Sequence, residues 1–244
     1  MKFHVISLER TPQRLENFFR LNGNRESIQH FPAVDGRTLD RAKLVEQELI
    51  EPDLPHYTDG ALGAALSHKR MWEIAVETGE PVTVLEDDAV INHQFLDGAE
   101  ATAAQAFEWD YIQWGWNFDS WLTFVLPGGL SPCVARFNQD RMRQGIAHFQ
   151  QQEMSPGLFP LICAMGVPAY TVSPRGAEKL LDWCFPLAPG EVYYPGLEQK
   201  VAHTGIDVVM NSFFRESHAQ AFVAFPPLVV TPNDWTVSTI QTKR

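Results

Sequence analysis

Cysteine is scarce in this 244-residue chain: Cys133, Cys163 and Cys184 are the only three, far apart and odd in number. That excludes a disulfide scaffold, and with neither a C-x-x-C pair nor H-E-x-x-H it argues against a zinc site. The three read as reduced, mostly buried thiols of a cytosolic protein. Basic residues are also few, 19 Lys and Arg against 30 Asp and Glu, for a net charge of −11. Nucleic acid needs a basic surface to neutralise its phosphates, so it is excluded as a partner. Broad attachment to anionic lipid is disfavoured on the same ground. No long apolar run exists. The start, MKFHVISLER, reaches a charged pair too soon for a signal peptide. The most apolar stretch, Leu158 to Val172, is interrupted by Pro160, Gly166 and Pro168 and cannot span a bilayer. No N-x-S/T sequon occurs. The expectation is a cytoplasmic protein, with at most peripheral contact at the inner face of a membrane. Common phosphate and acyl-transfer devices are missing too: there is no G-x-x-x-x-G-K-S/T and no G-x-S-x-G, and Gly60-Ala-Leu-Gly63 is not a dinucleotide fingerprint.

What is present in the first half is alternation of strand and helix signals. Lys2 to Leu8 is β-rich and apolar, and Thr11-Pro12 is a helix start with proline at the first helical position. Leu15, Phe18, Phe19 and Asn22 make a helical stripe ending near Gly23. Ile28 to Val34 is a strand closed by the Asp35-Gly36 turn. A long helix runs from Asp59 or Gly60 through Glu77 and stops at Gly79. Pro81 to Leu85 is a buried-type strand, Phe95 to Phe107 a helix, and Tyr111 to Trp116 another strand. This β-α-β-α-β order predicts an α/β fold with a mainly parallel central sheet flanked by helices. The second half is less regular. Met142, Ile146 and Phe149 are helically spaced, Ala169 to Val172 is strand-like, and Pro174 opens a helix through Cys184. A last amphipathic helix carries Ile206, Val209, Met210, Phe213 and Phe214. Glycine- and proline-rich stretches between these predict a loop-rich second half within one domain over 1–244.

The sharpest feature is Glu86-Asp87-Asp88, three consecutive acids at the end of an apolar strand. They repel one another unless a cation or solvent relieves them. Strand alternation puts Glu86 and Asp88 on one side, which suits a shared hard cation, Mn2+ or Mg2+, completed by water and substrate phosphate. Ligand crevices of open α/β sheets lie beyond such strand ends. A solvated turn whose acids cap the next helix explains the same residues.

Beyond these patterns, the chain resembles glycosyltransferase family 25, the lipooligosaccharide and collagen-type galactosyltransferases. VISLERTPQR is similar to the family's opening strand and arginine-bearing helix, and FPAVDGR to its second strand and turn. GALGAALSHKRMW matches a Gly-x-x-Gly-x-x-x-Ser-His helix, and VTVLEDDAVI a Leu-Glu-Asp-Asp strand end. WDYIQWGW and AYTVSPRGAEKLL resemble its later strand and helix. Ala64 stands where cysteine is common, and Pro186 to Thr204 departs from the family's pattern. The resemblance implies a GT-A-like nucleotide-sugar-binding fold, with about 1–116 as the nucleotide-sugar and metal half and about 117–244 as the acceptor half. It implies inverting, metal-assisted transfer of a hexose such as galactose from a UDP-linked donor to a glycan hydroxyl, as in lipopolysaccharide biosynthesis. It also marks Glu86-Asp87-Asp88 as the counterpart of an Asp-x-Asp metal motif.

On that reading Glu86 and Asp88 are metal ligands. Ser7, Arg10, Arg14, Asp35, Ser67, His68 and Asp87 are donor-binding candidates. Asp207, at the start of the last helix, is the favoured candidate base; a helix-end acid favoured by the dipole is the main alternative and a donor-sugar contact a lesser one. Four of the seven tryptophans crowd into residues 109–121. Aromatic faces pack on sugar C–H surfaces, which makes Trp116 and Trp121 acceptor candidates and leaves Trp109 and Trp114 for the core. Asp234 and His218 are candidates for a third metal ligand, and Glu198 is a reserve base. Two other classes use similar residues: a non-catalytic nucleotide-sugar-binding protein, and a magnesium-dependent phosphohydrolase or nucleotidyltransferase.

Overall fold

The computed structural model describes residues 1–23 and 25–234. The chain opens with β1 (Lys2–Ser7), α1 (Pro12–Asn22) and β2 (Ile28–Pro32), then α2 (Arg41–Glu46), α3 (Asp59–Thr78), β3 (Val82–Glu86), β4 (Val90–Ile91), α4 (Phe95–Ala103) and β5 (Tyr111–Gly115). It continues through β6 (Trp121–Val125), β7 (Pro132–Arg136), α5 (Gln139–Gln151), β8 (Gly157–Cys163), β9 (Ala169–Val172) and α6 (Pro174–Cys184). The last elements are β10 (Glu191–Tyr194), β11 (Gln199–Ala202), α7 (Ile206–Glu216), β12 (Ala221–Phe225) and β13 (Val229–Val230).

Nine strands form the main sheet, in the order β2-β1-β3-β9-β5-β12-β8-β6-β7. The expected mainly parallel sheet is corrected to a mixed one. β2-β1-β3 and β5-β12 are parallel, whereas β9, inserted between β3 and β5, and the β12-β8-β6-β7 half pair antiparallel. The expected loop-rich second half is likewise corrected. It supplies β6, β7, β8, β9 and β12 to the sheet, and the stretch from Pro186 to Thr204 contains the β10-β11 hairpin, anchored by buried Val192 and Tyr194.

Strand alternation feeds two cores. One face carries Val84, Tyr111 and Tyr170 against Leu62, Met71 and Trp72 of α3, Leu180 of α6, and Met210 and Phe213 of α7. The other carries Val5, Leu85, Ile112 and Trp114 against Phe18 of α1 and Phe95 of α4. α3 is capped at Thr58, whose hydroxyl accepts from the Ala61 N–H at 3.1 Å, and ends at Gly79 in the left-handed conformation with φ 66°. The first turns of α3 lie directly on the loop after β2. A Cβ on Gly63 would sit 2.4 Å from the Val34 carbonyl oxygen, and one on Gly36 would sit 1.6 Å from that of Asp59. Both neighbours are backbone, so neither can give way. Gly63→Ala is therefore expected to destabilise the fold by roughly 1–3 kcal/mol, as overpacking does. Urea denaturation reads this directly; an unchanged midpoint would show that α3 can slide off the loop.

Candidate functional site

The register aligns Ile6 with Glu86, and Leu85 and Gly115 with Ala169. The carboxyl ends of β1, β3 and β5 thus share one sheet edge. There, β3 runs out into the turn Glu86-Asp87-Asp88-Ala89, closed by the Ala89 N–H donating to the Glu86 carbonyl at 3.0 Å. Asn22, at the end of α1, clamps the exit: its amide donates to the Ala89 carbonyl and its oxygen accepts from the Ile91 N–H, both at 2.9 Å.

The three acids have three different environments. Asp87 is buried and fully engaged, accepting from the Ser7 hydroxyl at 2.7 Å and from Arg14 Nε at 2.8 Å, with Arg14 Nη2 as a further donor. Ser7, Arg14 and Asp87, expected as donor contacts, are in fact one another's partners. They hold the turn onto β1 and α1. Asp88 keeps one carboxylate oxygen, Oδ1, enclosed without a hydrogen-bond partner, while Oδ2 lies 3.9 Å from Arg14. Burial, then the charges of Glu86 and Asp87, push the Asp88 carboxyl up to about 7 against the opposing pull of Arg14 and the Thr231 hydroxyl. Glu86 is partly exposed, with His68 Nε2 at 3.8 Å from its Oε1.

Asp207 opens α7 and comes to the same edge from the far end of the chain. Its carboxylate accepts from the Gly166 N–H at 3.1 Å. Burial, and then the charge of Glu86, raise its pKa; the Gly166 and Val208 N–H groups and His68 pull the other way. Asn211, one turn on, fixes α7 to the Gly166 loop by donating to the Ala164 carbonyl at 2.7 Å and accepting from the Ala164 N–H at 2.8 Å. Glu86, His68 and Asp207 therefore share one electrostatic neighbourhood. Tyr57 belongs to it as well: it is buried, its hydroxyl has no hydrogen-bond partner, and the charge of Asp207 acts on it. Neither Tyr57 nor the Gly166 loop stands out in the sequence, where Gly166 and Pro168 register only as breaks in an apolar stretch.

The remaining candidates divide. Ser67 is fully buried and bridges backbone to backbone, donating to the Gly63 carbonyl at 2.7 Å and accepting from the Val34 N–H at 2.9 Å. It has no hydroxyl to offer a donor, which corrects that assignment. Arg10 and Asp35 pair at 2.9 Å just beyond β1 and β2. Arg37, then Arg10, hold the Asp35 carboxyl down at about 2. Trp116 is corrected from groove to core: it is 0% exposed, stacked on Phe118 at 5.6 Å between ring centroids. Trp121 does line a cleft of about 350 Å3, with Asp119, Arg136, Asn138 and Asp140, and Arg136 lies 5.6 Å over its ring. Trp109 and Trp114 pack in the core as expected. His218 is corrected as a metal ligand. It precedes β12, which runs parallel to β5 from the level of Tyr111, so it lies at the opposite sheet edge, in a separate cleft with Phe107 and Arg175. Asp234 is exposed, next to Asn233, which donates to Asp119 at 2.9 Å. Glu198 is exposed in the β10-β11 turn with φ 52°. Among the described residues, no three His, Cys, Asp or Glu side chains converge as a metal-holding group, and no helix is long and apolar enough to cross a membrane.

The family profile described as "Glycosyltransferase family 25 (LPS biosynthesis protein)" matches residues 1–189, a span that contains β1, α3 and the acidic turn. The chain belongs to glycosyltransferase family 25. Among relatives of this family 25 protein, a Glycosyltransferase 25 family member of Drosophila pseudoobscura pseudoobscura is 35% identical over 127 residues, covering 46% of this chain and 20% of that one. A family member of Aedes aegypti is 35% identical over 132 residues, with the same coverage of 46% and 20%. The Mus musculus protein named "Inactive glycosyltransferase 25 family member 3" is 36% identical over 126 residues, covering 46% of this chain and 21% of that one. The family 25 chain thus spans about a fifth of the length of these relatives.

Proposed function

We propose that this chain is an inverting, metal-assisted glycosyltransferase on a GT-A-like fold. It moves a hexose such as galactose from a UDP-linked donor to a glycan hydroxyl, in the cytoplasm and with at most peripheral membrane contact. The observation that carries the reading is the loop from Gly166 to Pro168, which donates to Asp207 at 3.1 Å and accepts from the Glu86 N–H at 2.9 Å and so joins Asp207 to the acidic turn at the carboxyl edge of the sheet, in a chain of family 25.

The acidic turn fits a hard divalent cation. Asp88 has an enclosed carboxylate oxygen without a partner beside a second acid, Glu86. Mg2+ and Mn2+ are commonly held by one or two carboxylates and completed by water and phosphate oxygens, so a third converging side chain is not required. Glu86 and Asp88 would hold the ion, which when bound neutralises charge on the departing diphosphate. Asp87, tied to Ser7 and Arg14, keeps the turn in place. Arg10 and Asp35, beyond the first strands, are suited to contact the nucleotide. Asp207 takes the proton of the acceptor hydroxyl as that oxygen bonds to the anomeric carbon. The carbon–oxygen bond to the diphosphate breaks on the opposite face, which inverts the centre. A carboxylate made more basic by burial and a neighbouring acid suits this task better than an ordinary one. Trp121 and the polar side chains of its cleft, Asp119, Asn138 and Asp140, offer hydrogen-bonding and aromatic contacts for the acceptor glycan.

Titration calorimetry with common nucleotide sugars, with and without Mn2+, tests the reading. One donor is expected to bind in a Mn2+-dependent way and to be consumed faster when a glycan acceptor is supplied. If none binds, the reading falls. Similarity to the Mus musculus protein called inactive favours one other reading, a non-catalytic nucleotide-sugar-binding protein, which donor binding without any transfer would select.

A further inference from the structure

Behind Glu86 the structure contains a buried chain of polar side chains that the reaction above does not use. Trp72 Nε1 of α3 donates to the Tyr170 hydroxyl of β9 at 2.9 Å, and the same hydroxyl lies 2.9 Å from His68 Nδ1. On the far side of the imidazole, Nε2 faces Glu86 Oε1 at 3.8 Å. Trp72 and Tyr170 are 0% exposed and His68 is 2% exposed, so the Trp72–Tyr170–His68 contacts lie away from the surface, whereas Glu86 is partly exposed.

The proton count along this chain is determined. Indole Nε1 is a donor only, so the Tyr170 oxygen accepts from Trp72. The hydroxyl's own proton then has one neighbour among its recorded partners, His68 Nδ1. If Nδ1 accepts it, the neutral imidazole carries its own proton on Nε2, directed at the Glu86 carboxylate. The opposite tautomer would place two protons in the gap between Tyr170 and His68 or strand the hydroxyl proton in the core. It would also turn the Nε2 lone pair toward a carboxylate. Both ends of the ring select the same tautomer.

We infer that Tyr170 and His68 are positioning residues: Tyr170 fixes the His68 tautomer so that the Nε2–H is directed at Glu86 Oε1, 3.8 Å away, and orients that carboxylate electrostatically. Residues behind a metal-binding carboxylate act this way when they orient it toward the ion. This rests on the reading of Glu86 as a cation ligand. It also gives His68, buried between Tyr170 and Glu86, a task other than donor contact. Trp72 sets the direction of the chain, because an indole cannot accept a proton in return.

Two measurements test it. Long-range 1H–15N spectra of the histidine-labelled protein, with His68 assigned by its loss in His68→Gln, are expected to show the Nε2–H tautomer in the wild type; an Nδ1–H tautomer overturns the inference. In Tyr170→Phe the hydroxyl proton is gone, and His68 is expected to move to a tautomer mixture while Mn2+ affinity by calorimetry weakens about 10-fold or more. A purely structural tyrosine would lower the melting temperature and leave Mn2+ affinity and tautomer alone, which would overturn it. If Tyr170→Phe does not fold, the wild-type tautomer still decides. Glu86→Gln separates the two ideas. Should it leave Mn2+ binding unchanged, the cation reading fails, and the tautomer alone then judges the relay.

Discussion

Asp88→Asn is expected to lose about 10²-fold or more of transfer activity while keeping its fold, the scale seen when one preorganised electrostatic contact is removed. The substitution conserves volume and removes a charge that the protein holds at a cost, since burial and the neighbouring acids raise the Asp88 carboxyl from 3.8 to about 7. A folded-state pKa above the unfolded one means that the native chain binds more protons between roughly pH 4 and 7. In the metal-free protein, Asp88 therefore favours folding at low pH, and stability falls as pH rises through that window. A divalent cation reverses this, because it binds the ionised form; its stabilising effect should grow as pH rises toward about 7 and level off above it. Asparagine resembles the protonated acid, so the variant should show a flatter stability curve and match or exceed metal-free wild type above pH 7. Thermal melts across pH, with and without Mn2+, check both statements. Full turnover of the variant in chelator-treated buffer would remove Asp88 from the site.

How much of this was readable beforehand depended on whether a residue's role is set locally or by a distant partner. The acids after β3 were readable because an apolar run that ends abruptly in three carboxylates is a local pattern. The packing of α3 on the loop after β2 was half-readable: Gly60, Gly63, Ser67 and His68 announced themselves, but nothing local says that Gly63 and Ser67 serve the Val34 backbone. Ser7 and Arg14 were expected to meet a ligand because polar residues after a first strand commonly do. Their partner is Asp87, 80 and 73 residues away, and such a pairing leaves no periodic trace. Trp116 failed for a different reason. Alternation would keep it on the face of Trp114, but the ladder shifts register between Gln113 and Gly115, and Trp116 enters the opposite core beside α3 and α7. In the second half Ala169–Val172 was readable as a strand, whereas β7, β10 and β11 were missed because they are short, partly polar and set among glycines and prolines. Their identity comes from the neighbours they pair with rather than from their own composition.

Asp207→Asn is expected to abolish transfer, by about 10²- to 10⁴-fold, while donor affinity and Mn2+ dependence stay close to wild type. The base acts on the acceptor hydroxyl as the new bond forms and contributes little to ground-state donor binding, so the loss should fall on kcat rather than on donor KM. The fold should tolerate the change, because the asparagine oxygen can still accept from the Gly166 N–H that Asp207 holds at 3.1 Å. A pH profile adds a second signature. Burial and Glu86 raise the Asp207 pKa, so the acid limb of the wild-type kcat/KM profile should lie above the ordinary carboxylate range, with activity falling as pH drops and Asp207 protonates. In the variant that limb should vanish from whatever activity remains. Donor affinity lost together with rate would instead make Asp207 a donor-sugar contact. Transfer preserved at wild-type rate would reduce it to a helix-end acid stabilised by the dipole of α7, and the base would then be sought at Glu198 or Asp234.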